Sequence, residues 1–293
     1  MLMLLDIGNS RIKVGLTQLE TDFFVSIKSF KKTDSLINYI KNTQKRYQIK
    51  YLVYSSVRGK ETDDLIKKVK TILKKDIFFD RVKYFDRTNY IDKTNSIDKF
   101  NENKNISFQF FYDPITSYGD DRLSILYYIF EKYPKDTIFA IDSGTALTID
   151  TMHKSKYEGG CIASGINLSV KSLFYKTRQL PLIKSKDISE KENINKIKNE
   201  LFGFSTKDSI LSGIYNLFTG FIIYSYDLFI NKIEKNYKEK VIRPKIILTG
   251  GDSHLIYELI KDKLENIEII IDENAVLSGL KSYLKFKIKN SNT

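Results

Sequence analysis

The chain has 293 residues, 42% hydrophobic and 29% charged, which is the make-up of a soluble globular protein with one large or two medium domains. A single cysteine, Cys161, excludes an internal disulfide framework and fits a reducing cytoplasm, and two histidines, His153 and His254, leave little for a histidine metal site or a Ser-His triad. The net charge of +12 comes from lysines mixed with acids, as in residues 184–200 and 231–240, not from a basic stripe with interleaved aromatics, so solvated helix faces are expected and no nucleic-acid partner.

The chain begins MLMLLDIGNSRIKVGL. Asp6 ends the first apolar run, and Arg11 and Lys13 follow at once, so this is not the pattern of an export signal. Met3 and Leu5 before the turn, then Ile12, Val14 and Leu16 after it, alternate with period two and predict a β-hairpin bent at Gly8, Asn9 and Ser10. A third strand is expected over residues 49–57, and amphipathic helices over 35–47 and 62–73, with Leu65, Val69 and Leu73 on one face. Residues 85–106 are polar and turn-rich and read mainly as loop. A helix follows over 120–133, where Leu123, Leu126, Tyr127 and Phe130 form an i, i+3, i+4, i+7 stripe. Residues 137–152 and 157–166 read as strands and turns, His153 as a turn residue and Cys161 as a small core filler.

Residues 209–226 carry no charge and approach the minimum length of a membrane span. Polar residues interrupt them and Asp208 and Asp227 flank them, while Ile210, Ile214, Leu217, Phe221 and Tyr224 recur at helical spacing. The expectation is a helix buried on several sides, between domains or subunits, and no membrane association. Residues 245–273 read as strand, glycine turn, helix and strand, an α/β unit with His254 as a polar helix-start residue.

An internal echo organises the chain. LLDIGNSRIKVGL and AIDSGTALTIDTM align Asp6 with Asp142, Gly8 with Gly144 and Asn9 with Thr145. Two copies of one hairpin predict two related α/β domains facing each other, residues 1–118 and 119–293. A strand ending in Asp-x-Gly-Asn-Ser sets a carboxylate, a hydroxyl and exposed N–H groups around a turn where glycine admits close approach or positive φ. Such N–H groups can cradle phosphate, Lys13 adds positive charge, and Asp6 can hold Mg²⁺ directly or through water. An ordinary hairpin turn is the alternative, since Gly-Asn is a common turn pair; the second copy favours a two-sided phosphate clamp. Asp121 and Arg122 fall in the first turn of the 120–133 helix, where anions are favoured. An aspartate there can simply cap the helix, whereas an arginine is opposed by the dipole and points to an outside carboxylate.

In order, DIGNSRIK, YDPITSYGDDR, DSGTALTID, GGCIASG, STKDSILSGI and TGG resemble the type III pantothenate kinases, of the actin-like, sugar-kinase-like ATPase superfamily. The resemblance spans nearly the whole chain and implies two facing ribonuclease-H-like domains of mixed sheets flanked by helices. It implies ATP-dependent phosphorylation of pantothenate to 4′-phosphopantothenate, the first step of coenzyme A synthesis, in a cytoplasmic homodimer. Matched residue by residue, it implies ATP and phosphate binding at Asp6, Ile7, Gly8, Asn9, Ser10, Arg11, Ile12, Lys13 and Thr145. Asp121 becomes the catalytic carboxylate, and Tyr112, Gly119, Asp120, Asp121, Arg122 and Thr206 the pantothenate contacts. Asp142 becomes the ligand of a monovalent cation, K⁺ or NH₄⁺, with Mg²⁺ arriving with ATP. The chain departs from the family in Asp120, where a small residue is usual, in Ser164-Gly165 for Pro-Gly, and in Ser10 for Thr. A kinase of another small-molecule alcohol and a non-catalytic transcription accessory factor are the alternatives.

Overall fold

The computed structural model describes residues 1–73, 77–83, 97–99, 107–238, 240 and 243–291. By internal contacts the chain forms two compact units, Met1–Pro134 with Asn274–Thr293, and Lys135–Glu273.

In the first unit, β1 (Leu2–Ile7) and β2 (Ile12–Thr17) form the expected hairpin, with Asp6 opposite Lys13 and Ile7 opposite Ile12. β3 (Phe24–Phe30) extends it, a strand the sequence reading lacks. Its pattern is masked because polar Ser26, Lys28 and Ser29 interrupt the apolar residues and neither face is fully buried. α1 (Thr33–Arg46) leads to β4 (Tyr51–Ser56), parallel to β1, and α2 (Lys60–Ile72) to β5 (Phe78–Arg81), parallel to β4. The sheet order is β3-β2-β1-β4-β5. Met3, Leu5, Val14 and Leu52 of the sheet pack with Leu36 and Ile40 of α1 and with Leu65 and Val69 of α2. Most of residues 85–106, expected as loop, lies outside the described residues. Within it, β6 (Ile97–Lys99) is a strand, antiparallel to β7 (Ser107–Gln109).

α3 (Asp120–Lys132) is the helix expected from its apolar stripe. In the second unit β8 (Thr137–Ser143), β9 (Ala146–His153) and β10 (Lys156–Ser164) run antiparallel in succession. α4 (Ile166–Lys176), α5 (Ser185–Ser189), α6 (Lys191–Glu200) and α7 (Thr206–Tyr237) follow. Then β11 (Lys245–Thr249) pairs parallel with β8, and after α8 (Ser253–Ile260), β12 (Ile269–Ile271) pairs parallel with β11. The order β12-β11-β8-β9-β10 repeats that of the first sheet, strand for strand and sense for sense. The sequence echo is therefore a fold echo: in each unit it marks the first hairpin of a ribonuclease-H-like sheet.

The expected boundary at 118/119 moves. Residues 119–134 stay with the first unit, and the last helix, α9 (Ala275–Ser291), returns to it. The two helices meet at Gly279, where a Cβ would lie 1.8 Å from the Ser124 carbonyl oxygen. Only glycine permits so close an approach. Lys285 pairs with Glu131 at 2.7 Å on the same seam.

α7 corrects a second expectation. It buries one face, through Ile210, Leu211, Ile214, Tyr215, Phe218, Ile222 and Tyr226, while Leu217 and Tyr224 are 58% and 65% exposed. Of the stripe read from sequence, Ile210 and Ile214 are buried and Phe221 packs partly buried against the core, whereas the buried face continues through Phe218 and Ile222 and leaves Leu217 and Tyr224 outside it within this chain. Ser205 caps it by accepting from the Asp208 N–H at 3.1 Å. Among the described residues, no helix is long and apolar enough to cross a membrane. Cys161 is exposed on β10 and fills no core. His153 ends β9, buried, with Nδ1 2.8 Å from Thr137 Oγ1, so it is a strand residue and not a turn. His254 is exposed beside Glu273 at the start of α8, as expected of a polar helix-start residue.

Candidate active site

In the first unit, the β1–β2 hairpin ends in a four-residue turn, residues 8–11, with Asn9, Ser10 and Arg11 exposed. Gly8 has no positive φ; a Cβ there would sit 3.3 Å from the Arg11 carbonyl, so compactness and not handedness explains it. Asp6 and Lys13 face each other across the ladder just below the turn, and Lys13 Nζ reaches Asn274 Oδ1 at 3.5 Å. Ser55 donates to Asp6 Oδ1 at 3.1 Å. Burial pushes the Asp6 carboxyl up to about 6, and the nearby charge of Asp121 adds to the rise, against the opposing Ser55 hydrogen bond and Lys13. Two carboxylates from distant parts of the sequence therefore share one electrostatic environment.

Asp121 lies in the first turn of α3, where its Oδ1 accepts the Arg122 N–H at 2.8 Å. A Cβ at Gly119 would lie 2.6 Å from that oxygen, so glycine leaves room for the carboxylate to lie over the helix tip. Arg122 is buried, with its guanidinium 4.4 Å from the Tyr118 ring centre and 5.7 Å from that of Tyr112. Tyr112 and Tyr118 are themselves edge-to-face at 4.7 Å. Aromatic faces hold the planar cation in a fixed orientation. Tyr112, Gly119, Asp121 and Arg122 are thus brought together at one helix end.

Asp120 does something else. Its Oδ2 accepts from Arg81 Nε at 2.6 Å and from the Ser56 N–H at 2.9 Å. Burial raises its carboxyl above the ordinary value, with both hydrogen bonds opposing the rise. This carboxylate ties the tip of α3 to the ends of β4 and β5. Ser55, Ser56, Arg58 and Arg81 are absent from the residues read from sequence. Their signal was present, since the Ser-Ser pair ends a strand parallel to β1, and ligands gather at the carboxyl ends of parallel strands.

In the second unit, Asp142 is the next-to-last residue of β8 and Thr145 lies in the β8–β9 turn. This turn holds two residues where the first holds four, so the hairpins match in position and not in turn geometry. The Gly144 N–H donates to Ala146 O and the Gly165 N–H to Thr145 O, both at 2.9 Å. A Cβ on Gly165 would lie 2.0 Å from Gly144 O. Asp142 stands opposite Thr148 in register, and the buried Thr148 hydroxyl finds no hydrogen-bond partner among the described residues. Gly250, at φ +90°, lies against Asp142: a Cβ there would come within 2.4 Å of Asp142 Oδ1 and of Ser143 O. Thr206, in the same unit, is exposed in the first turn of α7.

The profile of the family described as type III pantothenate kinase matches residues 2–227. The chain belongs to that family. A type III pantothenate kinase of Persephonella marina is 37% identical over 163 residues, 55% of each chain. That of Pelagibacter ubique is 33% identical over 180 residues, covering 61% of this chain and 62% of its own. The match thus spans little more than half the length of these curated relatives. That of Malacoplasma penetrans is 26% identical over 285 residues, covering 96% of this chain and 94% of its own. A crystal structure of a conserved Baf family protein from Campylobacter jejuni shares the fold, with a TM-score of 0.52, 19% identity, and coverage of 99% of this chain and 100% of that one. Within the type III pantothenate kinase family, the Asp120 departure acquires a physical sense: its carboxylate is engaged by Arg81 and the Ser56 N–H, while Asp121 carries its own hydrogen bond from Arg122.

Proposed function

We propose that this chain transfers the γ-phosphoryl group of ATP to the primary hydroxyl of pantothenate, giving 4′-phosphopantothenate and ADP. The observation that carries the reading is Asp121, a helix-tip carboxylate electrostatically coupled to Asp6 at the base of an exposed glycine turn. Phosphoryl transfer passes through a loose transition state, so positioning and charge neutralisation supply most of the rate. Asp121 orients the pantothenate hydroxyl and accepts its proton as the new P–O bond forms. Arg122, fixed by Tyr112 and Tyr118, pairs with the pantothenate carboxylate, and Gly119 and Thr206 complete its contacts; Asp120 serves through Arg81 and not by touching substrate. The N–H groups of the 8–11 turn and Lys13 hold phosphate oxygens, and Thr145 contacts ATP from its own turn.

The oxygen-rich residues fit the ions that the family implies. Among the described residues no group of three or more His, Cys, Asp or Glu could hold a metal by itself. Mg²⁺ bound by ATP phosphates needs only one or two protein carboxylates, which Asp6 supplies directly or through water. For K⁺ or NH₄⁺ the donors are Asp142 and the Thr148 hydroxyl, which has no hydrogen-bond partner among the described residues, beside a Gly250 where any side chain would collide with the Asp142 carboxylate. Both ions would offset phosphate charge. The exposed apolar residues of α7, Leu217, Tyr224 and Leu228, support a homodimer, and the lone exposed cysteine fits the cytoplasm.

ADP release with ATP, Mg²⁺ and pantothenate, with and without K⁺, tests the reading. Asp121→Asn is expected to lower kcat by about 10²–10⁴ with substrate KM values little changed, as for loss of a positioned base. Near-normal turnover in that variant removes Asp121 as proton acceptor. Strong ADP release with another small alcohol and none with pantothenate reassigns the substrate.

A further inference from the structure

The loop after β4 touches the hairpin turn in a way the proposed mechanism does not use. Arg58 donates from Nε to the Gly8 carbonyl at 2.7 Å and from an Nη to the Asn9 carbonyl at 3.3 Å. The same loop is tied down by the Val57 N–H on Ile7 O at 3.2 Å and the Arg58 N–H on Ser56 Oγ at 3.2 Å. Gly59 follows at φ +55°, a conformation that favours glycine and releases the chain into α2. One planar guanidinium thus grips two consecutive peptide carbonyls of an exposed turn.

The consequence follows from peptide stereochemistry. In a planar trans peptide the C=O and the N–H of the next residue point in opposite directions. Drawing the Gly8 and Asn9 carbonyls to one side therefore turns the Asn9 and Ser10 N–H groups to the other. Two successive N–H groups aimed the same way form an anion-binding concavity, whereas a flipped peptide would offer a carbonyl dipole to a negative ligand. We infer that Arg58 is a positioning residue that locks the 8–11 turn with its Asn9 and Ser10 amides set to receive a polyphosphate. This rests on the reading of that turn as the phosphate site. Arg58 acts on the peptide planes from behind and does not touch the ligand.

The experiment compares Arg58→Ala, Arg58→Lys and Lys13→Ala in the full chain, reading KM for ATP, KM for pantothenate, affinity for MgADP by calorimetry, and the melting temperature. Arg58→Ala is expected to raise the ATP KM and weaken MgADP by roughly tenfold or more while pantothenate KM moves less than about twofold. Arg58→Lys keeps one donor within reach of one carbonyl and falls between. The melting temperature falls only slightly, because two hydrogen bonds are removed, one part-buried and one exposed, and no apolar core residue is touched. Should Arg58→Ala fail to fold, Arg58→Lys decides by the same split between the two KM values. Unchanged ATP KM and MgADP affinity in the Arg58 variants, with weakened nucleotide in Lys13→Ala, overturns the role of Arg58 alone. Equal rises in both KM values with a strongly lowered melting temperature also overturn it, as a merely structural contact. Unchanged nucleotide affinity in Lys13→Ala overturns the phosphate-turn reading itself.

Discussion

Asp6 places a measurable strain on the ligand-free protein. Burial and the charge of Asp121 move its carboxyl from 3.8 to about 6, so above that pH the folded chain carries a charge it would rather not hold. The sign follows from proton linkage: a carboxyl raised on folding contributes stability below its unfolded value, and that contribution is lost as pH climbs through the folded one. At ~1.4 kcal/mol per pH unit, full loss is about 3 kcal/mol, and Asp6 is partly solvent-exposed, so about 1–2 kcal/mol is the working figure. Asp6→Asn keeps an acceptor for Ser55 and removes the charge. In chelator and without nucleotide, it is expected to stabilise the first unit by about that amount near pH 8 and by almost nothing near pH 4. Calorimetric melts at several pH values read the difference, and nucleotide affinity of the variant should fall at the same time. A stability gain equal at both pH values, or none at either, refutes the buried-charge argument.

Three further outcomes follow from named contacts. Gly279→Ala drives a methyl into the Ser124 carbonyl and should cost about 3 kcal/mol or more, seen in urea titration as early loss of the first unit. Asp120→Ala leaves the Ser56 N–H and Arg81 without their carboxylate and should cost ~1–3 kcal/mol and lower kcat; Asp120→Asn, which can still accept from Ser56, should be milder in both assays. Gly165→Ala presses on the β8–β9 turn and should cost ~1–3 kcal/mol; on the proposed cation role of Asp142 it should also lower the ratio of ADP release with and without K⁺.

What the sequence determined by itself is local. The alternation around Asp6 and Asp142 gave both first hairpins, because a strand buried along its length must repeat its apolar pattern whatever surrounds it. The stripe from Leu123 to Phe130 gave α3, and Asp121 with Arg122 at its tip was legible because a helix start constrains residue type within one turn. Tertiary structure decided the rest. β3, half-exposed and rich in polar residues, has no periodicity to find and exists because β2 offers it hydrogen bonds. Which stripe of α7 is buried depends on what packs against it, so Leu217 and Tyr224 could be counted as core from spacing alone and still lie outside. The return of α9 to the first unit, and the attachment of Ser55 to Asp6, Ser56 and Arg81 to Asp120, and Arg58 to the turn, join residues tens to hundreds of positions apart. A single sequence holds no periodic signal for such pairs, because their partner is chosen by chain path and sheet order and not by neighbouring residues.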